Sequence, residues 1–322
     1  MRFQGDDAPY LDITAFDHNP ELDRAVLDAL RPPIHPRGDW AADAEPTGLV
    51  VAEDDVRFLL VHHTVTDNDY RPDEVAQRIR DVHRLHTGPE RGWVDVAYNF
   101  LVDRYGGIWE ARAGSLERAV QGDASGGSQG FAQLCCLIGN HHQAPPTAEA
   151  RESLVSLLAW LGHRYRIDTT TGATVEFVSR GSSRWRQGLV VTARTISGHR
   201  DMSDTVCPGD YAYPLLERTI PDAVSDRRRQ VYQQVAPLVV DNSRQTRSPS
   251  SSTTEPRSVA GVPTATIRSE SVAADEVGET SGTVSRSRTA DDGVDVPAWP
   301  LGVTVASGAV AALVALRRRR CG

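Results

Sequence analysis

The stretch SGHRDMSDTVCPG, Ser197 to Gly209, sets His199 and Cys207 eight positions apart among polar residues. A histidine and a cysteine form a borderline-soft ligand pair that suits zinc. A catalytic zinc takes three protein ligands and keeps a fourth position for water or substrate. The third ligand must therefore come from elsewhere in the chain. The best donor is VHHTVT, because His62 and His63 end the apolar, strand-length run VRFLLVHHTV and so have a rigid mount. Successive side chains of a strand point to opposite faces, and only one of the two histidines can reach the same metal. Phe58 to Val61 are apolar on both faces, so periodicity does not choose between them. The other cysteines read differently: Cys135 and Cys136, in LCCLIG, are small buried hydrophobes. Four cysteines at these spacings do not describe a disulfide framework.

Rigid elements must position such ligands, and the sequence supplies their signals. RPDEVAQRIRDVHRLHTG opens on proline and acidic residues, carries Val75, Ile79, Val82 and His86 on one face, and stops at Gly88, which predicts a helix. AYNFLVDRYGGIWEARA predicts a hairpin turning at Tyr105, Gly106 and Gly107. AQLCCLIGN reads as a central strand, and TAEARESLVSLLAWLGHRYR as a long amphipathic helix with a Thr147 cap. These signals predict one α/β domain over residues 34–222, a central mixed β-sheet flanked by helices. Residues 1–33 are expected to form an N-terminal helical extension, since Leu22, Val26, Leu27 and Leu30 recur at helical spacing before Pro32 and Pro33. They lack the charged-then-apolar layout of a signal peptide.

The 322 residues carry a net charge of -8, and all 35 cationic residues are arginine, so no basic footprint for nucleic acid is present. Residues 223–297 are rich in Ser, Thr, Arg, Asp and Glu and are expected to be a polar, largely disordered linker. Residues 298–320 hold an uncharged run from Pro300 to Leu316, with Trp299 before it and Arg317 to Arg320 after it. This predicts a single C-terminal transmembrane helix with a cytoplasmic arginine flank and the folded domain outside.

Five motifs carry a resemblance: RGDW (Arg37 to Trp40), VHHT, GWVDVAYNF (Gly92 to Phe100), GGIWEARA and GHRDMSDTVCPG. In this order the chain resembles the peptidoglycan recognition protein and type 2 N-acetylmuramoyl-L-alanine amidase family. The resemblance implies a Zn2+ held by His62, His199 and Cys207. It implies catalytic roles for Tyr98, at the reacting carbonyl, and Thr205. It implies that Arg112 and Trp93 line the substrate groove, with His63 beside them as a packing or substrate-contacting residue. The implied reaction is hydrolysis of the amide between N-acetylmuramic acid and L-Ala in peptidoglycan, by a monomer tethered to a bacterial cell membrane on its extracytoplasmic face. Family members that bind cell wall without cutting it typically lack a metal ligand, most often the cysteine, and this chain keeps all three. The alternative is a peptidoglycan-binding receptor or scaffold with little turnover. One departure is VQGDASGGSQG before the central strand, which puts Asp123 near the place of an expected groove histidine.

Overall fold

The structure, a computed structural model, describes residues 19–246 except 54 and 127–129. In chain order its elements are α1 (Pro20–Leu30), β1 (Phe58–His63), α2 (Val75–Thr87), β2 (Phe100–Val102), β3 (Ile108–Glu110), β4 (Ala132–Leu137), α3 (Ala148–Arg164), β5 (Thr174–Val178), β6 (Val190–Arg194), β7 (Ile196–Gly198) and α4 (Thr219–Thr246). Five strands form one sheet in the order β3-β2-β4-β1-β7, and β5 pairs with β6 in a separate ribbon. β1 lies parallel between β4 and β7, while β2 and β3 form the expected antiparallel hairpin, which sits at one edge of the sheet. All six residues of β1 are buried, which is why its apolar run shows no alternation: helices or a ribbon cover both faces. The hairpin turns at Gly106, whose φ of +90° favours glycine, and Asp103 Oδ1 accepts from the backbone N–H of Tyr105 and Gly107.

On one face, α1, α3 and α4 bury Leu59, Val61, Phe100, Val102, Cys135 and Leu137. On the other, α2 and the β5–β6 ribbon bury Phe58, Leu60, Leu101, Leu134 and Cys136. Cys135 and Cys136 are thus the core residues expected of them, one per face. The RGDW motif clamps the chain entering this second layer, because Trp40 Nε1 donates to Glu110 O at 2.7 Å and Arg37 pairs with the buried Asp95 at 3.0 Å.

Two boundaries move. The helix in residues 1–33 is an integral part of the core, with Leu22, Val26 and Leu30 buried against α3 and α4. The linker expected from residue 223 instead begins as most of α4, which runs to Thr246. Its polar composition hides an apolar stripe: Ile220 and Val224 are buried, and Val231, Val235 and Val239 pack on the same cluster. Arg228 joins them by donating to Ile167 O at 3.0 Å and Thr169 Oγ1 at 2.7 Å. The expected transmembrane helix and the remaining linker lie outside the described residues; within them no helix is long and apolar enough to cross a membrane.

A chain ending at residue 222 should therefore be less stable than one ending at 246. Losing Val224 and the stripe beyond it removes about 3 kcal/mol or more by analogy with large-to-small core changes. For a domain of this size that is roughly 6–12 °C in melting temperature. Calorimetric melts of the two chains check this; coincident melts would make α4 dispensable.

Candidate metal centre

The register of the central strands assembles the site. Val61 pairs with Gly198 across β1 and β7, so the next residues along the two strands, His62 and His199, emerge side by side at their carboxyl ends. Their ring centroids are 4.5 Å apart. By alternation His62 faces the α2 side of the sheet and His63 the α3 side. Cys207 returns to His62 after a tight loop closed by Arg200 N donating to Cys207 O at 3.0 Å. Its Sγ lies 3.7 Å from His62 Nδ1 and accepts from His63 N at 3.4 Å. One ligand atom from each of His62, His199 and Cys207 falls within 4.8 Å of the other two, the spacing of a metal-binding triad.

The ligand loop is held from several sides. Asp201 Oδ2 accepts from Gly198 N at 2.9 Å and Arg194 at 3.3 Å, and Oδ1 accepts from the Tyr213 hydroxyl at 2.6 Å. The segment joining β5 to β6 clamps the loop: Trp185 Nε1 donates to Asp201 O at 2.9 Å, Ser182 Oγ to Met202 O at 2.7 Å, and Asp204 N donates to Ser183 Oγ at 2.9 Å. Beyond Cys207, Gly209 has φ +97° and sits so close to His141 that a Cβ would lie 2.4 Å from its carbonyl carbon. Glycine alone fits there.

Burial sets the charge state of the triad. It holds His62 well below the usual histidine range, helped by the neighbouring His199, and lowers His199 to about 4. It pushes the Cys207 thiol up to about 12. Both imidazoles are therefore neutral at neutral pH and keep a lone pair for a metal. The thiol ionises there only if a cation supplies the countercharge. His62 Nε2 is buried with no hydrogen-bond partner among the described residues.

A wall of rings leads outward from His62. Tyr98 lies 5.0 Å from it, His86 a further 5.4 Å on, and the half-buried Trp93 another 5.0 Å. The Tyr98 hydroxyl bonds Cys136 Sγ, and burial raises its pKa well above the ordinary tyrosine value, so it remains a protonated donor. His86 Nδ1 accepts from Ala97 N at 3.1 Å, which fixes the neutral ring with its proton on Nε2. Burial lowers His86 to about 3.

That histidine makes an acid-side prediction. Between about pH 6.5 and 3 the unfolded chain protonates His86 and the folded chain does not, so stability is full above pH 6.5 and is lost as pH falls through this window. One such proton is worth about 1.4 kcal/mol per pH unit. Urea unfolding from pH 7 to 4 should show a shallower pH slope in His86→Gln than in the wild type; equal slopes would remove His86 as a source.

Two residues expected at the site, His63 and Arg112, sit differently. His63, expected as a possible substrate contact, is only 2% exposed, and its Nδ1 accepts from His141 N at 3.1 Å; it packs behind β1, on the far face from His62. Arg112, expected to meet a substrate carboxylate, is also 2% exposed, because Asp123 holds its guanidinium at 2.5 Å and Val96 O accepts from it at 3.0 Å. The departure at VQGDASGGSQG supplies that internal partner. Thr205 is partly buried, and its Oγ1 accepts from Cys207 N at 3.3 Å, so its oxygen shapes the turn while its proton stays free to donate. Tyr98 and Trp93 lie on the wall that leads to His62. Sequence reasoning missed His86 as part of that wall, Cys136 as partner of Tyr98 and Trp185 as a brace of the ligand loop. For His86 the signal was present: a histidine on the apolar face of α2 must meet something specific.

A mixed sheet carrying a His, His, Cys triad at the carboxyl ends of two adjacent parallel strands defines an α/β domain with a candidate metal centre. Comparison with known proteins gives that class its family. Residues 52–210 match the N-acetylmuramoyl-L-alanine amidase family, Amidase_2, and the chain carries a domain of that family. Mouse peptidoglycan recognition protein 1 is 28% identical over 185 residues, covering 57% of this chain and 86% of that protein. Human N-acetylmuramoyl-L-alanine amidase is 29% identical over 192 residues, which are 59% of this chain but 28% of that longer protein. Among solved structures, human PGRP-IβC in complex with glycosamyl muramyl pentapeptide aligns at 22% identity with a TM-score of 0.45, over 58% of this chain and 95% of that one.

Proposed function

We propose that this protein is a zinc-dependent amidase that cuts the bond between N-acetylmuramic acid and L-Ala in bacterial peptidoglycan. The observation that carries this reading is the convergence of His62, His199 and Cys207 within 4.8 Å. The spacing suits the ion: Zn–S and Zn–N bonds of about 2.3 and 2.0–2.1 Å at a tetrahedral angle place sulfur and nitrogen about 3.6 Å apart. The observed Cys207 to His62 separation is 3.7 Å.

When bound, zinc would supply a Lewis acid and lower the pKa of a water it holds to about 7. The chain's residues do the rest. His62 and His199 offer lone pairs, and Cys207 gives up its proton to solvent as metal enters. The protonated Tyr98 hydroxyl donates to the carbonyl oxygen as negative charge develops on it, and the free Thr205 proton is a second donor. His86 Nε2–H and Trp93 line the approach and orient substrate. Burial around Tyr98 and His62 excludes bulk water, which strengthens each of these donations.

A second reading, binding of peptidoglycan without turnover, draws support from the relatives named as recognition proteins. The test is to incubate the protein with purified peptidoglycan, with and without a chelator, and identify released ends by mass spectrometry. Peptides beginning with L-Ala, lost on chelation, support the amidase. Binding without such products in zinc-replete protein sinks it and leaves the receptor. We further propose that residues 298–320 tether the domain to the outer face of a bacterial membrane, on the strength of their uncharged run and arginine flank. Recovery of the domain in the membrane fraction only when those residues are present tests this.

A further inference from the structure

The β5–β6 ribbon lays one face on the second core layer and leaves the other open. Phe177, Val191 and Ala193 turn inward and are buried, while Glu176, Val178, Val190 and Thr192, which alternate with them, are exposed. Val178 and Val190 form the last cross-strand pair before the connection that joins the two strands, and each keeps more than half of its surface in water. Leu189, next in the chain, is exposed as well. Solvent-facing positions of an antiparallel ribbon ordinarily carry polar residues, and single exposed apolar side chains need no explanation. A paired apolar patch at the end of the ribbon does.

The connection itself, SRGSSRWRQGL, carries Arg180, Arg184 and Arg186 and no acid, in a chain whose net charge is -8. Arg186 is exposed and makes no ion pair among the described residues. Arg180 and Arg184 meet Glu53 and Asp204 only at 3.9 and 4.0 Å, and both guanidinium-bearing side chains stay about half exposed. Such loose pairs hold weakly, so all three cations remain available to a larger anionic surface. The connection is also braced. Gly188 N donates to Ser179 O and Ser182 N to Trp185 O, both at 2.8 Å, and Trp185 Nε1 reaches Asp201 O on the ligand loop. A partner therefore meets a surface that is already formed, which lowers the ordering cost of binding.

We infer that the end of the β5–β6 ribbon is a docking surface for a lipid bilayer with anionic headgroups. Charge complementarity chooses the headgroups, and the apolar pair chooses the bilayer. The arginines meet phosphate groups at the surface while Val178, Val190 and Leu189 enter the boundary with the acyl chains. A soluble polyanion would satisfy the arginines and leave the valines in water, and a neutral bilayer would leave the arginines unanswered. The inference depends neither on the amidase reading nor on residues 298–320 as a tether. Because Trp185 and Ser182 fasten this connection to the loop that carries Cys207, docking sets the metal centre at a fixed height above the lipid.

Hydrogen–deuterium exchange of the full chain reads this docking locally, whatever else attaches the chain to lipid. The probes are vesicles of phosphatidylcholine alone and vesicles of phosphatidylcholine mixed with phosphatidylglycerol. Exchange at residues 178–190 should slow with the mixed vesicles and not with the neutral ones, and the protection should fade at high salt as the arginines are screened. Arg186→Ser should raise the lipid concentration needed for half-protection roughly fivefold, the share of one arginine near an anionic surface. Val178→Ser combined with Val190→Ser should raise it roughly tenfold, for two half-exposed valines no longer buried. Unchanged exchange over the rest of the domain shows that each variant is folded. Equal protection by both kinds of vesicle, protection by neither, or protection that survives the double serine change overturns the inference. So does long-chain inorganic polyphosphate that protects the segment equally in the wild type and the double serine variant, which would make the patch a polyanion site. No turnover enters this readout, so an inactive protein that docks keeps the surface and sinks the amidase, and an active one that does not dock does the reverse.

Discussion

Cys207→Ser is expected to remove bound metal and turnover together while the domain stays folded. The thiolate is the soft, anionic member of the triad, and a serine hydroxyl at neutral pH is neither. Partners that only orient metal ligands are worth 10–100-fold in metal affinity, so loss of a ligand itself should cost more than ~100-fold. Turnover should fall with metal occupancy. The fold should survive, because Cys207 lies in a loop held independently by Asp201, Trp185 and Ser182. Metal analysis of the purified variant, a thermal melt and the peptidoglycan assay together check this. A variant that keeps its zinc and its rate would take Cys207 out of the site.

Tyr98→Phe separates chemistry from metal binding. The ring that packs between His62 and His86 is retained and only the hydroxyl is lost. Its former partner, Cys136 Sγ, is a weak acceptor whose loss of a donor costs little. If the hydroxyl donates to the developing oxyanion, kcat should drop by about 10²–10³ with KM nearly unchanged, the size seen when one such donor is removed. Metal content should match the wild type. Since burial raises the Tyr98 pKa well above 10, the ratio of wild-type to variant rate should be flat from pH 6 to 9. A variant with full kcat would leave Tyr98 as a packing ring alone.

The sequence showed the ligands more clearly than their surroundings. His199 and Cys207 stand out because polar loops seldom pair these types. His62 and His63 were separable only by strand direction, which depends on which layer packs on each face. α2 and α3 were legible because apolar spacing, caps and stop signals agreed over long segments. α4 was not, since its stripe of single valines is diluted by arginine and glutamine, and only the α1–α3 surface reveals what the stripe meets. The β5–β6 ribbon is the least legible element: its strands are short and half exposed, and the long polar tip between them hides their pairing. Arg112 shows a further limit. Its motif suggests a groove, but a carboxylate supplied by a different segment, at Asp123, turns it inward.

The pairing of Val61 with Gly198 that aligns His62 with His199 also bears on how the molecule comes together. Cys207 and His62 are 145 positions apart, and β7 must find β1 across nearly the same span. Contacts of such range tend to form late, after shorter ones have reduced the entropy of closing the intervening chain. In small zinc modules the ion drives folding from the start. Here the sheet must already be nearly complete before three ligands exist to receive it. The ion should therefore leave the refolding rate almost unchanged and act mainly by slowing the first opening of β7 from the native state, as a clasp fastened last.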